Sequence, residues 1–286
     1  MRILFLSLAL LGGIFLPFGH QLTFLVRYSV MVMLFFAFLD IRIERSAILP
    51  THGWIALANL GMAALFYFVL LPLGSDLAIT GFITAIMPTA AAAPVLTSYL
   101  HGRVPFVTFS VILTTCLVGL VIPLVLPWIA GAGSNMSIGS ILLPVLITIL
   151  LPLLTAQAIR LWWGQLQQAL LKVQIISYYL FLLNVYIAMS KASYFIQQEM
   201  TGSIAELSGI LMVSALICGF NFGLGHLLGG PSNRTGGSMA LGRKNTMFAV
   251  WVSLTYLSPL TALGPMGYII WQNIWNSYQL MRQKKE

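Results

Sequence analysis

Apolar stretches of about 20 residues recur from one end of this 286-residue chain to the other, and almost no charge interrupts them. Each is long enough to cross the ~30 Å hydrocarbon core of a bilayer as a helix. Only 7% of the residues are charged, against about 25% in a typical soluble domain. With 59% apolar residues the chain cannot cover itself with polar groups, so a bilayer is the solvent for most of it. The net charge of +8 then reports on loop placement rather than on nucleic acid. Cys116 and Cys218 both lie inside apolar runs, which argues against a disulfide framework or a thiolate metal site. The first run, Ile3 to Pro17, follows a single Arg2 and is not followed by a small-x-small cleavage site, so it reads as a retained helix.

Segmentation gives ten crossings, at roughly 3–18, 22–39, 48–72, 76–100, 104–130, 137–160, 171–190, 204–229, 238–257 and 260–281. An even number puts both termini on one side. The loops of that side carry ten cations: Arg2, Arg42, Arg45, Arg103, Arg160, Lys172, Arg234, Arg282, Lys284 and Lys285. The opposite loops carry Lys191 and, at a margin, Arg27. The bias places both termini in the cytoplasm, and the expected location is the plasma (inner) membrane. Ten spans also divide into two fives, 1–131 and 137–286, joined by the uncharged Gly131–Gly139 stretch. An odd number per half makes any repeat an inverted one, a plan common in transporters, whose sites lie where broken helices of the two halves meet.

The fourth span of each half is irregular. In the first, "MPTAAAAPV" (Met87–Val95) has two prolines, each lacking a backbone donor and disfavouring helix at the residue before it. Pro88 lies 12 residues beyond Asp76, about 18 Å along a helix, so the break falls near mid-bilayer. An ordinary proline kink is the simpler reading. In the second, "GGSMALGRKNT" (Gly236–Thr246) has three glycines and two adjacent cations, Arg243 and Lys244, between long uncharged runs. The simpler reading there is a cytoplasmic loop with a span that begins late.

These stretches carry a resemblance. "IMPTAAAAPVLTSYLHG" (Ile86–Gly102) followed by "VILTTCLVGLVIPLVLP" is similar to the fourth and fifth spans of the bile acid:sodium symporter family. "ALGRKNTMFAVWVSL" (Ala240–Leu254) resembles its Glu-Val-Gly-Met-Gln-Asn stretch, and "YIIWQNIWNSY" (Tyr268–Tyr278) its final span. The resemblance covers nearly the whole chain. It implies an all-α polytopic fold of ten helices in two inverted five-helix repeats. Spans 1, 2, 6 and 7 form a panel, spans 3–5 and 8–10 a core, and broken spans 4 and 9 cross in the core. It also implies two sodium ions behind the crossing and an organic anion in the crevice between core and panel.

The departures from the family pattern concern sodium. The family's ligating Ser-Asn falls on Ala93 and Pro94, its glutamate on Ala240, and its Met-Gln on Arg243 and Lys244. Asn245 is retained, and a third-span glutamine falls on or next to Asn59. Hard cations want several oxygen ligands. Methyls, a proline ring and two cations replace them here, so the sodium sites read as lost or greatly altered. No carboxylate stands at midplane depth to pair with Arg243 and Lys244. Three roles stay open for them. Lys244 could fill the vacated sodium site as a built-in cation and, since a buried lysine can release its proton, couple transport to pH. Arg243 or Lys244 could pair with an anionic substrate. Both could snorkel to water.

Other candidates around the crossing are Pro88, Thr89 and Thr246, and the fifth-span hydroxyls of Thr108, Thr114 and Thr115, which could instead back-bond to their own helix. Gln272, Asn273 and Asn276 stand where the family has His-Asn, and interhelical hydrogen-bond glue is their alternative. Asn221 and His226 read as structural, and Trp162-Trp163 as an interface anchor. The Asn135-Met-Ser and Asn233-Arg-Thr glycosylation triplets are discounted as chance.

The leading expectation is a secondary transporter of a small organic anion working by alternating access, with sodium coupling lost or altered and proton coupling or facilitated diffusion fitting at least as well. A metalloid exporter of the arsenite type would want a cysteine in the broken fourth span, where this chain has alanines. A membrane sensor that kept the fold and lost transport is a second class. An enzyme is not expected: the four histidines are scattered and no mid-membrane acid exists. No cofactor, resident metal or nucleic-acid partner is expected; the partners are the bilayer and the anion. The sequence does not set the oligomeric state, and a monomer is the working expectation.

Overall fold

The computed structural model describes residues 2–41, 48–130, 136–198 and 204–283. Arg42, Arg45, Lys284 and Lys285 of the side-determining cations, most of the Gly131–Gly139 join, and Asn135 of the first glycosylation triplet lie outside the described residues.

The described chain is helical apart from short connections. Its helices are α1 (Arg2–Phe15), α2 (Phe24–Asp40), α3 (Thr51–Leu70), α4 (Ser75–Ile86), α5 (Ala93–Tyr99), α6 (Val104–Ile129), α7 (Ile138–Trp162), α8 (Gly164–Lys172), α9 (Ile176–Gln198), α10 (Ile204–Gly242), α11 (Thr246–Tyr256) and α12 (Pro259–Gln283). Five segments are long and apolar enough to cross a membrane alone: Thr51–Leu73, Val104–Ile129, Ile138–Trp162, Ile176–Gln198 and Glu206–Gly242. Leu4–Phe15, Phe24–Leu39, Ser75–Ile86 and Thr246–Tyr256 are shorter apolar helices. Each of the ten apolar runs is helical over most of its length. The fourth and ninth are each two helices separated by a break. The segmentation missed α8, a short helix with no buried residue that sits where a loop was expected.

The run written as α10 contains a sharp reversal. Gly230 (φ 63°, ψ −178°) and Asn233 (φ −150°, ψ 35°) leave helical geometry on either side of Pro231. The two legs then lie directly against one another. A Cβ on Gly237 would stand 2.2 Å from the Gly225 carbonyl oxygen, and one on Gly225 would stand 2.4 Å from that of Gly237. Only hydrogen atoms fit between backbones that close, as in other small-residue helix contacts in membranes.

The chain divides into two compact units, 1–41 with 122–204 and 247–263, and 42–121 with 205–246 and 264–286. In the first unit α1 packs on α9 and α2 on α7. A Cβ on Gly13 would meet Met189 Cβ at 2.6 Å, so α1 and α9 touch through backbone there. The last carbonyls of α2 have no partner inside their own helix. Gln157 caps Phe38 at 3.0 Å, Gln167 caps Leu39 at 2.9 Å, and Arg160 donates to Ile41. Arg27, counted at the margin of the outer side, donates to Thr148 Oγ1 at 3.0 Å and to the Pro144 carbonyl at 3.2 Å. In the second unit α3 packs on α4. Gly264 of α12 lies against Thr84 of α4, 2.3 Å from where a Cβ would be.

Candidate functional site

Both irregular spans break where their sequence chemistry requires it. Met87, before Pro88, has left the helix for an extended conformation (φ −42°, ψ 138°). Pro94 sits in the first turn of α5, where no backbone donor is needed. The small residues between them leave space for a second backbone. On the other side the second leg of α10 ends at Gly242, whose missing Cβ would lie 2.4 Å from the Phe222 ring. Arg243, Lys244 and Asn245 follow, and α11 starts at Thr246.

The two breaks meet as a minimal antiparallel ladder centred on Thr89 and Lys244. The Ala90 N–H donates to the Arg243 carbonyl at 2.7 Å, and the Asn245 N–H donates to the Pro88 carbonyl at 2.8 Å. Side chains close the remaining groups. Thr89 donates its hydroxyl to the Ala240 carbonyl at 2.6 Å and its N–H to Thr114 Oγ1 at 2.9 Å. Tyr268 donates to the Gly242 carbonyl at 2.7 Å. An interrupted helix in lipid is tolerated only when its freed polar groups are paired in this way.

The two cations occupy this ladder. Their side chains reach different helices, Lys244 to α3 and Arg243 to α12. Lys244 is 2% exposed and donates its ammonium to Asn59 Oδ1 on α3. The Nδ2 of Asn59 donates at 2.9 Å to the carbonyl of Ile86, the last residue of α4. The backbone N–H of Lys244 donates to Gln272 Oε1 at 3.1 Å. Arg243 takes the other direction and donates to Asn273 Oδ1 at 3.1 Å, while its Nε has no partner. No described carboxylate forms an ion pair with either cation. A snorkelling Lys244 and a "GRKN" surface loop are both corrected: the side chain is enclosed by helices and ends on an amide.

The structure thus brings together Pro88, Thr89, Asn59, Arg243, Lys244, Asn245, Gln272 and Asn273. Thr246, 3% exposed, opens α11 and sends its N–H back to the Lys244 carbonyl at 3.1 Å. Ala93 is fully buried beside Pro94 at the start of α5, and these positions offer a methyl and a ring. Thr108 lies nearer the start of α6 and does not bond to the breaks; Thr114 supplies the hydroxyl instead. Thr114 also sits 2.7 Å from the Ser110 carbonyl, so back-bonding and bridging coexist. Tyr268 and Ala240 are participants that sequence reasoning did not single out as partners. Tyr268 stood in the quoted final-span stretch, but nothing in its sequence context tells which carbonyl it reaches. Among the described residues no group of three or more His, Cys, Asp or Glu side chains is placed to hold a metal.

A model of the SBF-like CPA transporter family matches residues 3–274. No curated protein matches the chain. The chain belongs to the SBF-like CPA transporter family, which is the bile acid:sodium symporter family, and is a membrane transporter and not an enzyme.

Proposed function

We propose that this family member is a secondary transporter of a small organic anion that works by alternating access, with the Lys244 ammonium in the place of a coupling sodium ion. The observation that carries the reading is the buried Lys244–Asn59 contact, which delivers a positive charge to an amide oxygen between α3 and the end of α4. The residues present do not suit a sodium ion there. A second cation about 4 Å from an ammonium would be repelled by roughly 4 kcal/mol at an effective dielectric of 20. The positions of the family's oxygen ligands hold the methyls of Ala93 and Ala240 and the ring of Pro94. No transport step therefore runs through sodium. In the same reading ten spans form two inverted halves with both ends in the cytoplasm, and proton exchange at Lys244 or plain facilitated exchange replaces ion symport.

Arg243 suits the anion. Its Nη1 donates a single bond to Asn273, and its buried Nε–H has no partner. An incoming carboxylate or sulfate can take that fork in two bonds.

Melting of the purified protein in sodium chloride against choline chloride, at constant ionic strength, tests the lysine. A ligand that binds only the folded state raises Tm by mass action. Equal Tm in the two salts is expected. A sodium-specific rise would mean that a sodium site persists and would remove Lys244 from this role. Counterflow in proteoliposomes, over a panel of carboxylates and sulfates, tests transport itself. Arg243→Lys should weaken anion binding at least tenfold while leaving Tm within a few degrees, and unchanged affinity would reject the arginine's role.

A further inference from the structure

A second polar site lies away from the helix breaks, where two turns of one unit fit together. The first is the turn from α5 into α6, and the second is the reversal at Gly230–Asn233. Gly102 of the first backs onto Thr235 of the second, 2.9 Å from where a Cβ would be. Between them is a cavity of about 180 Å³ lined by His101, Arg103, Ser232, Asn233 and Arg234 among others. That is far more than one ordered water needs.

Two features point to an oxyanion, and a third sets a histidine at the rim. Both arginines are exposed, neither side chain has a hydrogen-bond or ion-pair partner among the described residues, and no carboxylate lines the cavity. Asn233 is only 7% exposed, yet both atoms of its amide lack a hydrogen-bond partner. Buried amides are rarely left in that state; this one lies over Gly236 and helps to line the cavity, which leaves its N–H free for a group that enters. Its burial also suits it poorly as a glycan acceptor. His101 is the third feature. The His101 N–H donates to the Ser98 carbonyl at 3.1 Å, and the Gly102 N–H to the Thr97 carbonyl at 2.9 Å. This is the paired-bond end of a helix whose left-handed residue is most often glycine. Here it is a histidine with φ 50°. Such strain in a side-chain-bearing residue tends to persist where the side chain is used.

We propose that this cavity binds a phosphate group. Arg103 and Arg234 supply the paired N–H forks, Asn233 an amide N–H, and His101 and Ser232 further donors. The charge bias of the loops sets this end of the unit toward the cytoplasm. Two sources of the group occur there: the headgroup of an anionic phospholipid, and a soluble phosphate. The site does not depend on what Lys244 does.

The test uses the full chain, stripped of lipid in a neutral detergent. Tm is measured against inorganic phosphate, with chloride as the equal-ionic-strength control, and against phosphatidylglycerol, with phosphatidylcholine as its control. Arg103→Gln/Arg234→Gln and Asn233→Ala are measured alongside. Stabilisation of the wild type by inorganic phosphate, with an apparent Kd at least tenfold weaker in the double variant, supports a soluble phosphate. Stabilisation by phosphatidylglycerol alone, lost in the double variant, supports a lipid headgroup. No stabilisation by either, or equal stabilisation in wild type and double variant, overturns the proposal. His101→Gly guards against misfolding, because it relieves the helix end: its ligand-free Tm should not fall, while its affinity should. Unaltered affinity in that variant counts against the site.

Discussion

At the residue scale, Asn59 and Lys244 are unequal partners. Removing the lysine leaves an amide oxygen short of a donor, a cost of about 1–3 kcal/mol. Removing the asparagine leaves a buried ammonium with no acceptor and an unpaired Ile86 carbonyl. Breaking a buried charged contact from that side costs about 3–5 kcal/mol. Asn59→Ala should therefore lower stability more than Lys244→Met, and sodium should rescue neither. Because the two side chains touch, the double variant should cost less than the sum of the singles. Chemical or thermal unfolding of the three variants in one detergent reads the order directly, and the reverse order would mean that the ammonium is not held by Asn59. The sequence made the two cations conspicuous, since charges in an apolar run are rare. It did not give their partners. Asn59 and Thr114 sit on spans that are apolar almost all round, so no stripe of polarity tells which face of α3 or α6 meets the break.

At the element scale, the reversal in α10 depends on glycine at the point of contact rather than on glycine in general. Gly237→Ala would press a methyl into the Gly225 carbonyl, 2.2 Å away, and should cost more than the 1–3 kcal/mol of ordinary overpacking, because the neighbour is backbone. Gly219 lies on the same helix with nothing within 4 Å of an added Cβ. Gly219→Ala should raise stability by up to about 1 kcal/mol through helix propensity alone. Melting both variants under one condition separates packing from propensity, and a similar shift in both would contradict the close contact of the two legs. The breaks themselves were legible, because proline and glycine act on the backbone of their own segment. That the breaks pair with each other, through Ala90 with Arg243 and Asn245 with Pro88, was legible only through resemblance. Helix α8 was not legible, since nine residues between two apolar runs look like any polar connection.

At the scale of the whole molecule, the charge bias makes a prediction about sidedness. Fusion of a cytoplasm-dependent fluorescent reporter to either end should give signal at both, and a periplasm-dependent phosphatase should be inactive at both. Opposite behaviour of the two ends would require an odd number of crossings and would dismantle the two-fives plan. If Lys244 stands in for the coupling ion as proposed, a further consequence follows from its being part of the chain. A dissolved ion is picked up on one side of a membrane and left on the other, so its concentration difference does work in every turnover. A charge fixed to the backbone cannot be left behind. Whatever distance Lys244 moves in one half of a cycle, it moves back in the other half. While it keeps its proton, the net current per turnover is then the current of the cargo alone. A salt gradient across the membrane supplies no power through this position, and dilute surroundings cannot empty it.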